Sequence, residues 1–268
     1  MGENIIKGKA LYTPKGAALE YGRIGCNFYT GCPHDCTYCY LKRGAPSKQL
    51  GGTEVRLKKC FNDEEDAAKT LSKELDKHLE QCQQYGLFLS FTTDPLIKET
   101  RVLTSKAIYE CLTRAIPVYI LTKDATFIND RKFMVFLENI KSHYRYSIHF
   151  GFTLTGHDYM EPNASSNAER INAMRHISLM GFNTFASIEP VIDWDAAEKV
   201  ICNSILWCNH YKIGLRSGVK RDYYDAEDSA ARLNKIVDFI THYNKTVYIK
   251  QSVYTLLKGK ENLIRWER

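Results

Sequence analysis

The sequence predicts an α/β protein with a mostly parallel sheet, and three observations lead to this prediction. Short apolar, β-branched runs alternate with longer segments of helical pattern along most of the chain. Of its 268 residues, 44% are hydrophobic and 25% are charged, which is typical of a soluble protein with a sizeable core. No internal repeat, and no linker rich in Pro, Gly and Ser, divides the chain. Strands that alternate with crossover helices pair in parallel, so about six units form either a doubly wound sheet or a partial barrel.

The individual elements follow from apolar runs and from their bounding residues. Strands are predicted over 86–92, 117–122, 146–155, 182–189, 205–213 and 246–250. One helix is predicted from an N-cap at Asn62 to about residue 84, and others over 101–115, 126–141, 167–179, 193–203 and 225–243. Gly181 predicts the end of the helix over 167–179. Residues 1–20 are predicted to form an extended lead-in to a single domain over 1–268.

Composition limits the class of protein. The formal net charge of +6 permits an anionic partner such as nucleic acid but is below that of a strongly basic binding domain. No stretch approaches the roughly 20 apolar residues that cross a bilayer, and the first residues contain no apolar segment typical of a secretory signal. We therefore expect a cytoplasmic protein without membrane contact, and a monomer as the default state.

The nine cysteines include one local group. Cys32, Cys36 and Cys39 have C-x3-C-x2-C spacing in the segment Gly-Cys-Pro-His-Asp-Cys-Thr-Tyr-Cys-Tyr, residues 31–40, and the other six are scattered. Cytoplasmic thiols stay reduced, so a disulfide framework is not expected. Thiolates select zinc, copper(I) or iron–sulfur clusters. Three ligands on one short loop leave the fourth iron of a 4Fe–4S cluster open to a substrate or cofactor, whereas electron-carrying clusters normally use four.

Two alternatives remain for this loop, which are a zinc site and three ordinary buried thiols. A structural zinc site uses four closed ligands, often from two C-x2-C pairs, and the chain contains no second pair of this kind. His34 lies inside the loop and could supply a fourth ligand, but the resulting site would be unusually tight. The spacing therefore favours the cluster.

The cysteine loop, with Tyr38 directly before the third cysteine, resembles the signature of the radical S-adenosylmethionine (SAM) superfamily. Further segments resemble the spore photoproduct lyase-like group, which is also labelled DNA-repair photolyase. These segments are Tyr12-Thr13-Pro14-Lys15-Gly16, Glu20-Tyr21, Asn27-Phe28-Tyr29-Thr30-Gly31, Thr92-Thr93-Asp94-Pro95, Leu121-Thr122-Lys123, Glu169-Arg170 and Ser187-Ile188-Glu189-Pro190. The resemblance thus extends over most of the chain, and its most specific part is the cysteine loop.

The resemblance implies a partial (β/α)6 barrel of the TIM-like type, with the cluster at the C-terminal ends of the strands. It also implies two cofactors, a 4Fe–4S cluster on the three cysteines and SAM on the open iron. The reduced cluster would cleave SAM to methionine and a 5′-deoxyadenosyl radical, which abstracts hydrogen from a substrate. A flavodoxin- or ferredoxin-like electron donor is the implied partner, and a nucleic acid or nucleotide is a possible substrate class.

The resemblance also suggests roles for polar residues at the strand ends. The suggested contacts are Thr93 and Asp94 to the SAM amino group, Lys123 and Arg170 to its carboxylate, Thr153 and Thr155 to the ribose, Glu189 to the ribose or substrate, and Tyr38 and Tyr40 beside the cofactors. Each residue type also has an ordinary structural use at a strand end, in a turn or on a solvated helix face.

One departure from the group concerns hydrogen return. Spore photoproduct lyases carry a cysteine just before the segment that corresponds to Thr92-Thr93-Asp94-Pro95, and Phe91 stands at that position here. Repair of thymine dimers by the same route is therefore not expected, unless Cys82 or Cys111 reaches the site. Two other functions remain open, a radical SAM enzyme acting on a peptide or small metabolite, and a non-catalytic metal-bearing protein that binds nucleic acid with strong salt dependence.

Overall fold

The structure, a computed structural model, describes residues 5–44, 47–220 and 222–266. In these residues the strands are β1 (Leu11–Tyr12), β2 (Gly25–Cys26), β3 (Tyr29–Thr30), β4 (Arg56–Leu57), β5 (Leu87–Leu89), β6 (Val118–Thr122), β7 (Ile148–Thr153), β8 (Asn183–Val191), β9 (His210–Leu215) and β10 (Thr246–Ile249). The α-helices are α1 (Ser47–Leu50), α2 (Glu64–Lys77), α3 (Leu79–Tyr85), α4 (Arg101–Leu112), α5 (Arg131–Glu138), α6 (Ser142–Arg145), α7 (Asn167–Leu179), α8 (Trp194–Ser204), α9 (Ala226–His242) and α10 (Gln251–Leu256). Short 3-10 helices lie at Gly16–Glu20, Tyr40–Lys42, Thr126–Asn129, Asp158–Met160 and Glu261–Leu263.

The strand order distinguishes the two architectures that periodicity left open. The main sheet has the order β1-β2-β5-β6-β7-β8-β9-β10, and β3 pairs with β4 separately. Only β1 and β2 pair antiparallel in this sheet, and the later neighbours pair in parallel. A doubly wound sheet reverses its strand order at a switch point, whereas this order follows the chain. The implied partial barrel is confirmed.

The sheet curves so that its two ends approach each other around Tyr21. The ring of Tyr21 contacts Phe88 of β5, with 5.6 Å between the ring centroids. The Nζ atom of Lys250, directly after β10, lies 4.1 Å from the centroid of the same ring. Because β5 and β10 lie five strand pairings apart in the sheet, one side chain contacts both only if the sheet is curled.

Alternation along the strands separates an outer apolar face from the barrel interior. On β6 and β7, Ile120 and Phe150 are fully buried in the main core, and the Phe150 ring stacks on Phe127 of the outer layer at 6.2 Å. The intervening Tyr119 and His149 point to the opposite face, where their rings stack at 4.4 Å. The interior face is therefore much more polar than the branched apolar filling typical of complete barrels.

The predicted strands and most of the helices are confirmed, with shifted ends. Helix α7 has the predicted bounds because Ser166 forms a capping box with Glu169, and Gly181 follows it with φ of +85°. The N-cap of α2 is Asp63 instead of Asn62, because the Asp63 side chain accepts the backbone N–H of Asp66 at 2.7 Å.

Three other boundaries differ from prediction for local reasons. The helix predicted to run to about residue 84 is divided at His78, whose φ and ψ of −119° and 30° leave the helical region. The segment 126–141 is divided at Asp130, which accepts the backbone N–H groups of Lys132 and Phe133 and so starts α5. Strand β9 begins at His210 because the buried Ile205 and Cys208 belong to the turn after α8. Helix α10 was not predicted.

The N-terminal lead-in is attached to the barrel through one carboxylate. Glu74 of α2 accepts backbone N–H groups from Lys9, Ala10 and Leu11 at 2.7, 3.1 and 2.7 Å. This contact ties the start of β1 to α2, and β1 pairs with β2, so part of the predicted extended segment becomes the antiparallel edge of the sheet. Residues 1–4 of the predicted lead-in lie outside the described residues. None of the helices in the described part of the chain is long and apolar enough to cross a membrane.

Candidate active site

The cysteine loop leaves β3 and turns across the C-terminal ends of the strands. Gly31 has φ of +81°, and a Cβ atom there would lie 2.0 Å from the carbonyl oxygen of Glu54, so only glycine fits this turn. The backbone N–H of Cys32 donates to the Gly52 carbonyl at 2.9 Å, and that of Thr37 donates to Met160 at 2.9 Å. Both sides of the loop are therefore fixed by distant parts of the chain.

The loop lines a cleft of about 220 Å³ at the C-terminal ends of the barrel strands. Most of the residues predicted from the sequence lie on its wall, namely Cys32, Cys36, Cys39, Tyr38, Tyr40, Thr93, Asp94, Lys123, Thr153 and Glu189. Two predicted residues, Thr155 and Arg170, are buried outside the wall. A cleft at this end of the strands is where α/β barrels carry their active sites.

The donor set of the cleft fits a cluster on the three cysteines. Burial raises the pKa of Cys32 to about 12 and also raises that of Cys36, so a metal must displace their protons. No three His, Cys, Asp or Glu side chains within residues 5–44, 47–220 and 222–266 are grouped around one ion position. A 4Fe–4S cluster does not require such a group, because each cysteine binds a different iron.

Two polar groups on the same wall lack protein partners and fit an added cofactor. The hydroxyl oxygen of Thr93 is buried, and no described residue forms a hydrogen bond with it. The Lys123 ammonium group lies 5.7 Å from the centroid of the Tyr38 ring, and none of the described residues pairs with it. Since a buried hydroxyl normally finds a partner, these two groups are available to the amino and carboxylate groups of SAM.

Asp94 has a different environment from the one expected of a SAM ligand. Its Oδ1 accepts from the Thr122 hydroxyl at 2.7 Å and from the Leu96 N–H at 2.9 Å. Its Oδ2 accepts from His34 Nε2 at 2.9 Å and from the Lys123 N–H at 2.7 Å. Burial alone would raise the pKa of Asp94, but the His34 bond and the backbone donors lower it. With four donors already bound, Asp94 ties the cysteine loop to β6.

Arg170 also has a role other than the predicted contact with the SAM carboxylate. Its side chain is fully buried and forms an ion pair with Glu161, which is equally buried. Its other N–H groups donate to the carbonyls of Thr153 and Ser165 at 2.6 and 2.8 Å. The hydroxyl of Tyr38 donates to the same Glu161 carboxylate. Arg170 therefore supports the cysteine loop through Glu161 and does not face the cleft.

Thr155 belongs to this same buried network. Its hydroxyl donates to Glu161 at 3.3 Å and accepts the backbone N–H of His157 at 3.2 Å. Of the two threonines predicted to contact the ribose, only Thr153 reaches the cleft. Strand β7 ends at Thr153, so the alternation of the strand does not extend to Thr155, which turns into the buried network instead.

Glu189 lies on the cleft wall within a charged cluster that was not predicted. Its carboxylate accepts a hydrogen bond from the Tyr21 hydroxyl and forms an ion pair with Lys250. Tyr21 also bonds the Ser187 hydroxyl at 2.6 Å. Lys250 is almost fully buried, and its second carboxylate partner is Glu20 at 3.5 Å. The Glu20-Tyr21 pair resembled the family, but no sequence signal indicated that Lys250 would join it.

Phe91 and Tyr40 form the aromatic part of the wall. The Phe91 ring stacks on Phe88 at 4.5 Å, and its carbonyl accepts the Tyr40 hydroxyl. Neither Cys82 nor Cys111 lines the cleft, and both are fully buried in the hydrophobic core. Among the described residues, the cleft therefore contains no cysteine besides the three on the loop.

Arg216 is a second residue that was not assigned from the sequence. It follows β9, lines the cleft, and has a buried Nε atom without a hydrogen-bond partner in the described residues. Its backbone N–H donates to the Tyr224 hydroxyl at 2.9 Å, which fixes the start of its side chain. Arg43, on the cysteine side, donates to the Ser217 carbonyl at 2.6 Å and adds positive charge at the cleft mouth.

Comparison with known proteins gives the fold but no close relative. No protein-family model matches the chain, and no curated protein matches its sequence. A mutant of spore photoproduct lyase with bound AdoMet and dinucleoside spore photoproduct superposes with a TM-score of 0.64 and 13% identity, over 89% of this chain and 80% of that chain. SuiB from Streptococcus suis, bound to S-adenosylmethionine, gives 0.57 and 14% over 86% of this chain and 51% of that chain. The chain thus has the fold of spore photoproduct lyase, the group that its motifs resemble.

Proposed function

We propose that the chain is a radical SAM enzyme that reductively cleaves S-adenosylmethionine at a 4Fe–4S cluster held by Cys32, Cys36 and Cys39. One observation carries the proposal. The three cysteines meet, in a single cleft, the unpartnered Thr93 hydroxyl and the Lys123 ammonium group. The thiolates are ligands for the cluster, and the hydroxyl and ammonium groups can pair with the amino and carboxylate groups of SAM. The fold shared with two proteins whose structures contain SAM supports the same conclusion.

When bound, the reduced cluster would supply the electron that converts SAM to methionine and a 5′-deoxyadenosyl radical, which abstracts hydrogen from the substrate. The protein holds the reactants and excludes water. Lys123 would neutralise the SAM carboxylate, and Thr93 would accept from its amino group. Thr153 and Glu189 would hold the ribose, and Tyr38 and Tyr40 would border the cluster. Asp94 on the wall and Arg170 behind it act as positioning residues, through His34 and Glu161.

A substrate that carries negative charge fits the cleft mouth. Arg216 presents a guanidinium group without an ion-pair partner among the described residues, and Arg43 lies beside it across Ser217. Tyr40 is 57% exposed on the same side, where a base could stack on it. The dinucleoside bound by the similar lyase structure supports a nucleotide or nucleic acid as substrate. A peptide or small metabolite with an anionic group is the alternative.

Partners and cellular context remain predictions. We propose a flavodoxin- or ferredoxin-like electron donor, a monomeric single-domain chain and a cytoplasmic location. A non-catalytic nucleic-acid-binding protein with a structural metal is the competing function, and it predicts no turnover of SAM.

The first experiment measures 5′-deoxyadenosine. Purified protein is reconstituted anaerobically with iron and sulfide and is then given SAM and dithionite. We expect iron–sulfur absorbance and 5′-deoxyadenosine, with faster formation when a matching oligonucleotide is added. One equivalent of zinc, no iron–sulfur absorbance and no 5′-deoxyadenosine would contradict the enzyme. If peptides or metabolites accelerate 5′-deoxyadenosine formation and oligonucleotides do not, the radical chemistry is supported and the nucleic acid substrate is contradicted.

The role of Lys123 gives a quantitative prediction. We expect Lys123→Met to raise the KM for SAM about 10- to 100-fold, because a charged hydrogen bond contributes roughly 1.5–3 kcal/mol. Iron content should stay at the wild-type value, since Lys123 binds no iron. Steady-state kinetics and iron analysis check both expectations. Lys132→Met, on the exposed side of α5, is the matched control. Equal KM values for SAM in the two variants would show that Lys123 does not contact SAM.

A further inference from the structure

The barrel contains a second cavity, at the N-terminal ends of its strands and thus opposite the cleft. It encloses about 540 Å³, within the range of small-molecule sites. Its wall includes residues from the beginnings of β6, β7 and β9, among them Tyr119, His149, His210 and Lys212. Tyr21 borders both this lower cavity and the cleft, and separates them. The proposed radical chemistry makes no use of the lower cavity.

Lys212 is the central charge of the lower cavity, and its neighbours neutralise it only in part. Its Nζ atom donates to the backbone carbonyl of Glu20 at 2.5 Å. The rings of Tyr21 and Tyr248 lie 5.2 and 5.5 Å away, so that their negative faces offset part of the charge. No carboxylate lies within ion-pair distance in the described part of the chain. Burial lowers the pKa of Lys212 to about 8, so its ammonium form is not fully compensated.

The two carboxylates nearest to Lys212 are bound to other donors. Glu20 and Glu189 attract its ammonium group from a distance and Lys250 repels it. The Glu20 carboxylate is engaged with the Gln251 backbone N–H at 2.7 Å and with Lys250 at 3.5 Å. Arg23 also lies on the cavity wall, with its guanidinium carbon 4.9 Å from the centroid of the Tyr85 ring.

Two neutral imidazoles complete the polar lining. Burial lowers the pKa values of His149 and His210 to about 4, so both rings are neutral near pH 7 and can each donate one N–H. The Nδ1 atom of His210 bonds the Thr246 hydroxyl at 2.7 Å. His149 stacks on Tyr119 with an interplanar angle of 15°, and both residues line the cavity.

We propose that the lower cavity binds a planar aromatic carboxylate, whose carboxylate pairs with Lys212 and accepts from an imidazole N–H, and whose ring packs on the Tyr119–His149 pair. An anion would supply the counter-charge that Lys212 lacks. The flat pair and the Phe185 ring on the wall provide the apolar surface for the body of the ligand. This site does not depend on the cluster or on SAM.

The test uses benzoate as the probe and benzamide as its neutral isostere. Isothermal titration calorimetry is carried out anaerobically on the full reconstituted chain. We expect benzoate to bind, and benzamide to bind at least about tenfold more weakly. Lys212→Met should abolish this preference, and Lys235→Met, on the exposed face of α9, should retain it.

Equal binding of the two probes, no binding of benzoate, or an unchanged preference in Lys212→Met would each overturn the proposal. If Lys212→Met does not fold, His149→Phe tests the same site, because it keeps a ring on Tyr119 and removes only the N–H donor. In that variant we expect weaker benzoate binding and unchanged benzamide binding. Formation of 5′-deoxyadenosine is measured in parallel, so a failure of the radical chemistry is distinguished from a failure of this site.

Discussion

Cys36→Ala is expected to abolish cluster loading and to reduce 5′-deoxyadenosine formation by more than about 100-fold, since loss of even a supporting contact can cost 10- to 100-fold in metal affinity. Cys36 is the most deeply buried of the three loop cysteines, with 7% of its surface exposed. Among the described residues, no cysteine outside the loop lines the cleft to replace it. The measurements are iron and sulfide per chain, the absorbance of the reconstituted protein, and 5′-deoxyadenosine by chromatography.

Two matched controls come from the chain itself. Cys60 and Cys202 are exposed and lie outside the cleft. Their alanine variants should load iron and produce 5′-deoxyadenosine at the wild-type rate. A Cys36→Ala protein that retains a full cluster would mean that another residue is the third ligand. It would contradict the proposal that the three loop cysteines bind the cluster.

Arg170→Met should lower the free energy of unfolding by about 3–5 kcal/mol, the cost of leaving one partner of a buried ion pair alone. The variant leaves the Glu161 carboxylate in a fully buried position without its guanidinium partner. Glu161 also receives the Tyr38 hydroxyl. The same variant should therefore load less iron. Denaturant unfolding under anaerobic conditions gives the free energy, and iron analysis gives the loading.

A double variant separates the unpaired charge from the loss of positioning. Arg170→Met combined with Glu161→Met removes both charges, and apolar replacement of a whole buried pair is often neutral. We expect stability to recover while iron loading stays low, because the second substitution removes the acceptor of the Tyr38 hydroxyl. Arg232→Met, at a surface ion-pair cluster, controls for the substitution itself and should lower stability far less than Arg170→Met does. Full iron loading in the double variant would show that the network serves only stability.

The fold could be predicted where local signals are complete. Helix α7 has an N-terminal capping box, and Gly181 marks its end, so both ends were visible in the sequence. The start of β9 was not, because Ile205 and Cys208 continue the apolar pattern although they belong to a turn. The division at His78 involves no glycine or proline, and periodicity continues across it.

The site could be predicted where its residues are adjacent in the chain. Cys32, Cys36 and Cys39 form a local pattern, and pattern alone identified them. The roles of Asp94 and Arg170 depend on partners 60 and 9 residues away, His34 and Glu161, which no spacing rule links. The burial of charged residues inside the barrel could not be predicted for a different reason. Alternating polar residues on β9 suggest a solvated face, and the curvature of the sheet encloses that face instead.

The anchoring of the cysteine loop has a consequence for the order of events during synthesis. Tyr38 and its acceptor are separated by 123 residues, and His34 and the carbonyl of Asn163 by 129. At about 5–20 residues per second, the ribosome needs roughly 6–25 s to synthesise the chain from the first residue of each pair to the second. Until then the three thiols are part of an incomplete nascent chain. Iron and sulfide delivery should therefore follow translation, and a nascent chain that ends before Glu161 should remain without a cluster.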